Sequence, residues 1–422
     1  MLEARNTCWG ATGRNGGHCK PMLYQASQLL NIAAEHGPAE ALKRVRFELL
    51  NLELVRGLAA QAGECEFADS DSADVFFEPA AWEAACRNVA ALAALDPELA
   101  ALLRVVTDAR ELRESLRTPT AVGAIVFRAA RLAPYKLVTG LLARGVRERG
   151  LNLQTTTPAT RVRRGSAGGW VVETPRGCVE AKRVVFATNA HTAHLLPVMK
   201  GWIYPVRAQM AALVPPRSMK ARPLTHTYGL VRHSRKTAFY LIQRPFDVDG
   251  SGGELMLGGA REFEENQGVG LQDGGINPVV AKTLRSSIPG YFADETGYAG
   301  ETTEESGREQ LRRSFIEKFR QMRLGGSSYD VWDAAEGLGM GMGLGDEETG
   351  GKGRNGKREP ECKARMEWSG TMGFSKDGRP FVGRVPAVGE DDAKKLGIYP
   401  AALGDTDGLW MLAGFEGHGI NS

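Results

Sequence analysis

The sequence predicts an α/β fold with an α+β second part, and three observations carry that expectation. Long leucine- and alanine-rich stretches with three- and four-residue spacing alternate with short β-branched runs. One continuous apolar run, "VVFA", ends in small residues, as a strand buried on both faces of a parallel sheet does. Between "WIYPVRAQMAALV" and "GGELMLGGAREF" the chain is mainly strand-like, which predicts an antiparallel sheet. At 422 residues the chain is long enough for two domains.

The elements follow in order. "YQASQLLNIAAEHGPAEALKRVRFELLNLELVRGLAAQAG" reads as helix with an interruption at "HGP". "CEFADSDSADVFF" reads as strand with a polar turn inside it. "EPAAWEAACRNVAALAALDPELAALLRVV" is helical, and "TPTAVGAIVF" is a short strand. "PYKLVTGLLARGVRERG" opens with Pro134 at a first helical position and stops at Gly150. "LNLQTTTPATRVRRG", "GWVVETPRG" and "CVEAKRVVFATNA" give three strands joined by tight turns. "GLGMGMGLGDEETGGKGRNG" (337–356) is glycine-rich and of low complexity, which predicts a disordered insertion.

Composition removes several function classes. Basic and acidic residues nearly balance, 53 against 50, which gives no case for nucleic acid as a partner. The six cysteines are scattered without a C-x-x-C pair. That argues against zinc and against a disulfide framework, and points to reduced thiols in the cytoplasm. His191 and His194 lack a third ligand nearby, so no metal is expected. No apolar run approaches the roughly 20 residues a membrane span needs, so no membrane partner is expected.

Three stretches carry chemistry. In "MLEARNTCWGATGRNGGHCKP", Gly10, Gly13, Gly16 and Gly17 crowd a loop whose backbone N–H groups suit an anion. Glu3 precedes it, where a dinucleotide fold places a carboxylate on a ribose diol. In "VVFATNAHTAHLLP", Ala187 and Thr188 close a strand at the edge of a ligand crevice. In "GLWMLAGFEGHGI", a strand runs into Gly414, Gly417 and Gly419, a turn suited to feed a helix N-terminus. Taken alone, the first two read more readily as an ordinary turn and strand exit, and the third has a glycine-rich tail as its alternative.

Together with "TPATRV", "YPVRAQ" and "GFSKDGRPFVG", these motifs occur in one family's order. The chain resembles the FAD-dependent amine and amino-acid oxidoreductases of the D-amino-acid oxidase superfamily, especially its glycine-oxidase, sarcosine-oxidase and gamma-glutamylputrescine-oxidase-like members. The resemblance implies a Rossmann-like FAD-binding domain (1–62, 132–203 and 365–422). It also implies a substrate domain (63–131 and 204–334), with residues 335–364 as the insertion.

The resemblance assigns Glu3 to the adenosine ribose, Arg5 to the adenine end, Thr12, Gly13, Arg14, Asn15 and Gly16 to the loop passing pyrophosphate and flavin, and Ala4 and Gly17 to cofactor binding beside them. Val162 supplies backbone contacts to adenine, and Ala187 and Thr188 close over the cofactor. Gly414, Gly417, His418 and Gly419 approach the flavin pyrimidine ring. The reaction it implies is oxidation of a C–N bond in a small amine or amino acid. The product imine is hydrolysed by water, and O2 is the electron acceptor. His18 and Lys20 are candidates for substrate protonation or oxygen reduction, and Arg261 for pairing a substrate carboxylate.

The chain departs from the family pattern. No G-x-G-x-x-G follows a strand and opens a helix, and "GLGMGMGLG" lacks the preceding strand. The expectation is a chain that lacks the first βα unit and the C-terminal helix. The alternatives are a non-catalytic remnant unable to hold FAD and, disfavoured by the same missing fingerprint, a nicotinamide-dependent dehydrogenase.

Overall fold

Helix boundaries follow the punctuation of the sequence. Helix α1 (Ala26–His36) ends at Gly37, whose φ of 88° suits glycine, and α2 (Pro38–Ala62) restarts with proline at its first position. Helix α3 (Pro79–Leu95) stops at Asp96, which caps the short turn Pro97–Ala100 by accepting from Leu99 N at 3.0 Å. The helix Pro134–Arg149 begins at Pro134 and ends at Gly150 in the left-handed conformation, as expected. A further helix, Pro278–Tyr291, is capped by Asn277, whose side chain accepts from Val279 N and Val280 N.

The computed structural model describes residues 1–24, 26–166, 168–231, 238–292, 361–385 and 406–415. Its strands, in chain order, are β1 (His18–Cys19), β2 (Ala68–Phe76), β3 (Arg104–Val106), β4 (Gly123–Arg131), β5 (Arg161–Arg164), β6 (Trp170–Thr174), β7 (Gly177–Ala181), β8 (Val184–Phe186), β9 (Ile203–Leu213), β10 (Thr227–Val231), β11 (Phe239–Gln243), β12 (Leu255–Gly258), β13 (Ala364–Ser375), β14 (Phe381–Arg384) and β15 (Leu409–Ala413).

The largest sheet runs β1-β4-β2-β10-β11-β12-β9-β13, with β3 attached to β4. Its pairs are antiparallel except β2 with β10. The chain therefore has the expected α/β character with a predominantly antiparallel large sheet. Alternation along β2 and β4 divides the core. Ala73, Val75, Ala124 and Val126 face one cluster with Leu284 and Ile288 of the Pro278–Tyr291 helix. Phe76, Ile125 and Phe127 face a second, with Leu29 of α1, Val45 of α2 and Leu92 of α3. A small sheet β14-β15-β8 pairs β15 with β8 in parallel, and β5-β6-β7 forms an antiparallel meander.

Several expectations are corrected. The polar turn expected inside "ADSDSADVF" is absent: β2 is continuous, because β4 and β10 pair along it and its polar side chains are accommodated in the sheet. The stretch 151–160 is not a strand. It holds one parallel bridge, Gln154 to Leu2, and the strand proper begins at Arg161. "VVF" is not buried on both faces, since Val185 is 57% exposed while Phe186 is buried. Apart from Glu361–Ala364, the insertion expected at 335–364 lies outside the described residues.

Arg285 of the Pro278–Tyr291 helix is tied to residues 361–367. Cys362 N donates to the Arg285 carbonyl at 2.9 Å. The Arg285 guanidinium bonds Glu361 at 3.0 Å and Glu367 at 2.7 Å. Strand β13 then pairs along the whole of β9.

Candidate functional site

Two glycines of the opening loop, Gly13 and Gly17, are required by close backbone approaches. Gly17, at φ 83°, lies so near Leu132 that a methyl there would overlap the Leu132 carbonyl. A methyl on Gly13 would meet the Cys8 carbonyl. The loop is folded on itself: Asn15 donates to Thr12 O at 2.9 Å and accepts from Gly17 N at 2.9 Å. Its far side opens on a cavity of about 290 Å³, lined among others by Thr12, Gly13, Asn15, Gly16, Ile242 and Met256.

At the start of the loop, Glu3 Oε1 accepts from Arg5 N at 2.9 Å. Among the described residues no donor bonds its other oxygen. Ala4 is exposed and Arg5 half-buried. The Arg5 guanidinium pairs with Asp273 at 2.9 Å, and Arg14 lies 3.8 Å from the same carboxylate. Arg14 donates to the carbonyls of Trp9 (2.8 Å), Ser369 (2.8 Å) and Asp273 (3.1 Å), locking the loop onto β13 and the 270–275 turn. Burial, then the Arg5 charge, hold the His191 imidazole below its ordinary range, with Asp273 and Glu3 acting the other way. The β8 exit thus stands in the same charged cluster as Glu3, Arg5 and Asp273.

At the other end of the loop, a methyl on Gly16 would lie 3.0 Å from Met210 Cε and 3.5 Å from His18 Nδ1. The His18 ring meets Tyr240 edge-on at 5.7 Å. Its Nε2 is shut from solvent and has no hydrogen-bond partner among the described residues. Burial pushes the imidazole down to about 3, helped by the neighbouring Lys20 charge and opposed by the Leu241 and Tyr228 carbonyls. His18 is therefore neutral at physiological pH. Burial likewise raises the Tyr240 phenol to about 12, against the pull of Arg261. The Arg261 guanidinium sits 5.1 Å over the Phe374 ring. Lys20 pairs with Asp74, which is fully buried and also accepts from Tyr24 Oη at 2.5 Å.

The structure thus gathers Gly16, His18 and, through Tyr240, Arg261 along β9, β11 and β12. It sets Lys20 into a buried ion pair. Val162 is buried in β5, Ala187 exposed, and Thr188 Oγ1 bonds Thr192 Oγ1 at 3.0 Å. Gly414 follows β15, whereas Gly417, His418 and Gly419 lie outside the described residues. The sequence reading missed Asp273, Tyr240 and Met210. The "QDGG" around Asp273 reads only as a turn, and Tyr240 and Met210 only as strand residues.

A model of the FAD dependent oxidoreductase family, DAO, matches residues 1–335. The chain belongs to this family. Solved structures agree in fold. Glycine oxidase from Geobacillus kaustophilus superposes with TM-score 0.61 at 15% identity, over 100% of this chain and 83% of that one. Iminodiacetate oxidase from Chelativorans sp. BNC1 gives TM-score 0.58 at 13% identity, over 100% and 84%. L-alpha-glycerophosphate oxidase from Mycoplasma pneumoniae, solved with FAD bound, gives 0.57 at 10%, again over 100% and 84%. No curated protein matches the sequence.

FAD is the cofactor of the DAO family, and this chain's residues fit it at two places. Glu3 is half-buried, and its second oxygen, bonded by no donor among the described residues, would be the one to accept from a ribose hydroxyl. The 290 Å³ cavity against Thr12–Gly16 lies at the lower end of ligand-pocket sizes, room for a ring system rather than for a whole dinucleotide. The Arg14 side chain does not take part in that fit, because protein carbonyls hold it. No helix among the described residues is long and apolar enough to cross a membrane.

Proposed function

We propose that this protein oxidises the C–N bond of a small amine or amino acid, with O2 as the final electron acceptor. The carrying observation is that the Glu3 carboxylate and the cavity-lining loop lie in one short segment of a DAO-family chain. Bound FAD supplies the two-electron acceptor for that oxidation. Glu3 holds its ribose, with Ala4, Arg5 and the Val162 backbone at the adenine end. Thr12, Gly13, Arg14, Asn15, Gly16 and Gly17 carry it along the loop backbone, Ala187 and Thr188 close the crevice, and Gly414, Gly417, His418 and Gly419 meet the ring end.

Arg261 pairs the substrate carboxylate, supported by its place beside Tyr240 and Phe374. His18 acts as a neutral hydrogen-bonding imidazole rather than as an acid. Lys20 contributes its fixed charge, which helps keep His18 neutral. Water hydrolyses the imine to a carbonyl compound and the free amine or ammonia.

A second reading, a fold kept without FAD, draws support from Asp273. Its carboxylate occupies the Arg5 and Arg14 charges that an anionic cofactor would otherwise meet. The two separate in one experiment: incubate purified protein with FAD, remove the excess and record flavin absorbance, then assay peroxide over secondary amines and D-amino acids. Colourless protein refutes the oxidase reading. Yellow protein that releases no peroxide across the panel refutes the substrate class or the acceptor.

A further inference from the structure

Asn189 stands where three distant segments meet. It is the first residue of the turn Asn189–His191 that follows β8, and its φ is 39°, in the left-handed region that asparagine tolerates better than most residues. Its Oδ1 accepts from Gly414 N at 3.0 Å and from Phe415 N at 3.4 Å, immediately past β15. On the other side β13 presses against it. A methyl at Gly373 would overlap the Asn189 amide and lie 2.8 Å from Ala190 N.

β8 and β15 are adjacent parallel strands. Asn189 and Gly414 therefore mark the same carboxyl end of the small sheet, the end at which open α/β sheets bind ligands. Two consecutive backbone N–H groups leaving β15 are satisfied by one neutral side-chain oxygen from the neighbouring strand. That bond fixes the direction in which the chain leaves β15. The strained φ and the glycine required at 373 both go to keeping the amide in this place.

We propose that Asn189 is a positioning residue, which holds the Gly414–Phe415 backbone at the carboxyl end of the small sheet in the place that FAD binding requires. This inference rests on the FAD reading above. Aspartate keeps the acceptor and tolerates the left-handed conformation; alanine does neither.

The test compares full-length wild type, N189A and N189D by FAD titration and by the melting temperature of each protein without FAD. The expected result is that N189A melts lower without FAD, since alanine is strained at this φ, yet at a temperature where both proteins are fully folded it binds FAD about tenfold more weakly, or 1.4 kcal/mol. N189D should recover the wild-type affinity. Wild-type affinity in N189A overturns the proposal. So does a loss that N189D fails to restore, or one that disappears at temperatures where both proteins are fully folded. Wild-type protein that takes up no FAD overturns the function reading itself and this inference with it, an outcome distinct from failure in the variants alone.

Discussion

Replacing Lys20 by methionine keeps most of the side-chain volume and removes the ammonium from a buried carboxylate. The Asp74 side chain is 1% exposed and that of Lys20 16%, so solvent offers Asp74 little replacement. Tyr24 still donates to the carboxylate at 2.5 Å. Gly229 presses on the same group, since a methyl there would lie 3.1 Å from Lys20 Nζ and overlap the carboxylate, so the site has no slack in which to rearrange. Breaking a buried pair by removing one partner costs roughly 3–5 kcal/mol. With the tyrosine contact retained, K20M should lose about 3 kcal/mol, the lower end of that range. Urea unfolding of the FAD-free protein at pH 7, followed by circular dichroism, measures it. The K20M/D74N double variant should recover a substantial part of the loss, because the uncompensated charge is gone. A K20M loss under about 1 kcal/mol, the range of an exposed pair, would refute the reasoning. Lys20 would then be a mobile ammonium available for chemistry.

Two further outcomes follow from the same structure. Burial lifts the Glu48 carboxyl from 4.5 to about 7, so the folded state binds its proton more tightly than the unfolded state does. The resulting stabilisation is complete below pH 4.5 and lost as pH rises through about 7. Wild type should therefore lose about 3 kcal/mol relative to E48Q between pH 4.5 and 8, and parallel stability curves would contradict this. At Gly17, φ is 83° and a methyl would overlap the Leu132 carbonyl, so G17A should cost at least about 2 kcal/mol. G10A, at φ −79°, should cost under about 1 kcal/mol by the same unfolding measurement.

What the sequence made legible was local. The helix break at Gly37, the Pro134 start and the Gly150 stop each depend on the conformational limits of one residue. What escaped it was non-local. Ser72 and Asp74 look like turn residues, yet they lie fully buried in a central strand. The charge on Asp74 is matched by Lys20, which is 54 positions away. Asp273 has the appearance of a loop aspartate, and its partner Arg5 is 268 positions away. The glycines of the first loop suggested an anion cradle. Those at 13 and 17 also answer to the carbonyls of Cys8 and Leu132, contacts no local pattern displays. Asn189 was visible as part of a strand exit, but its bond to Gly414 joins residues 225 apart.

The tie between Arg285 and residues 361–367 has a consequence for the edge of the large sheet. β13 is the last strand of that sheet and pairs along β9. The Arg285 guanidinium reaches it through Glu367, and the Arg285 carbonyl holds Cys362 just before it. One residue of the Pro278–Tyr291 helix therefore clasps both the entry to the edge strand and the strand itself, so an unzipping of that edge has to part side chain and backbone together.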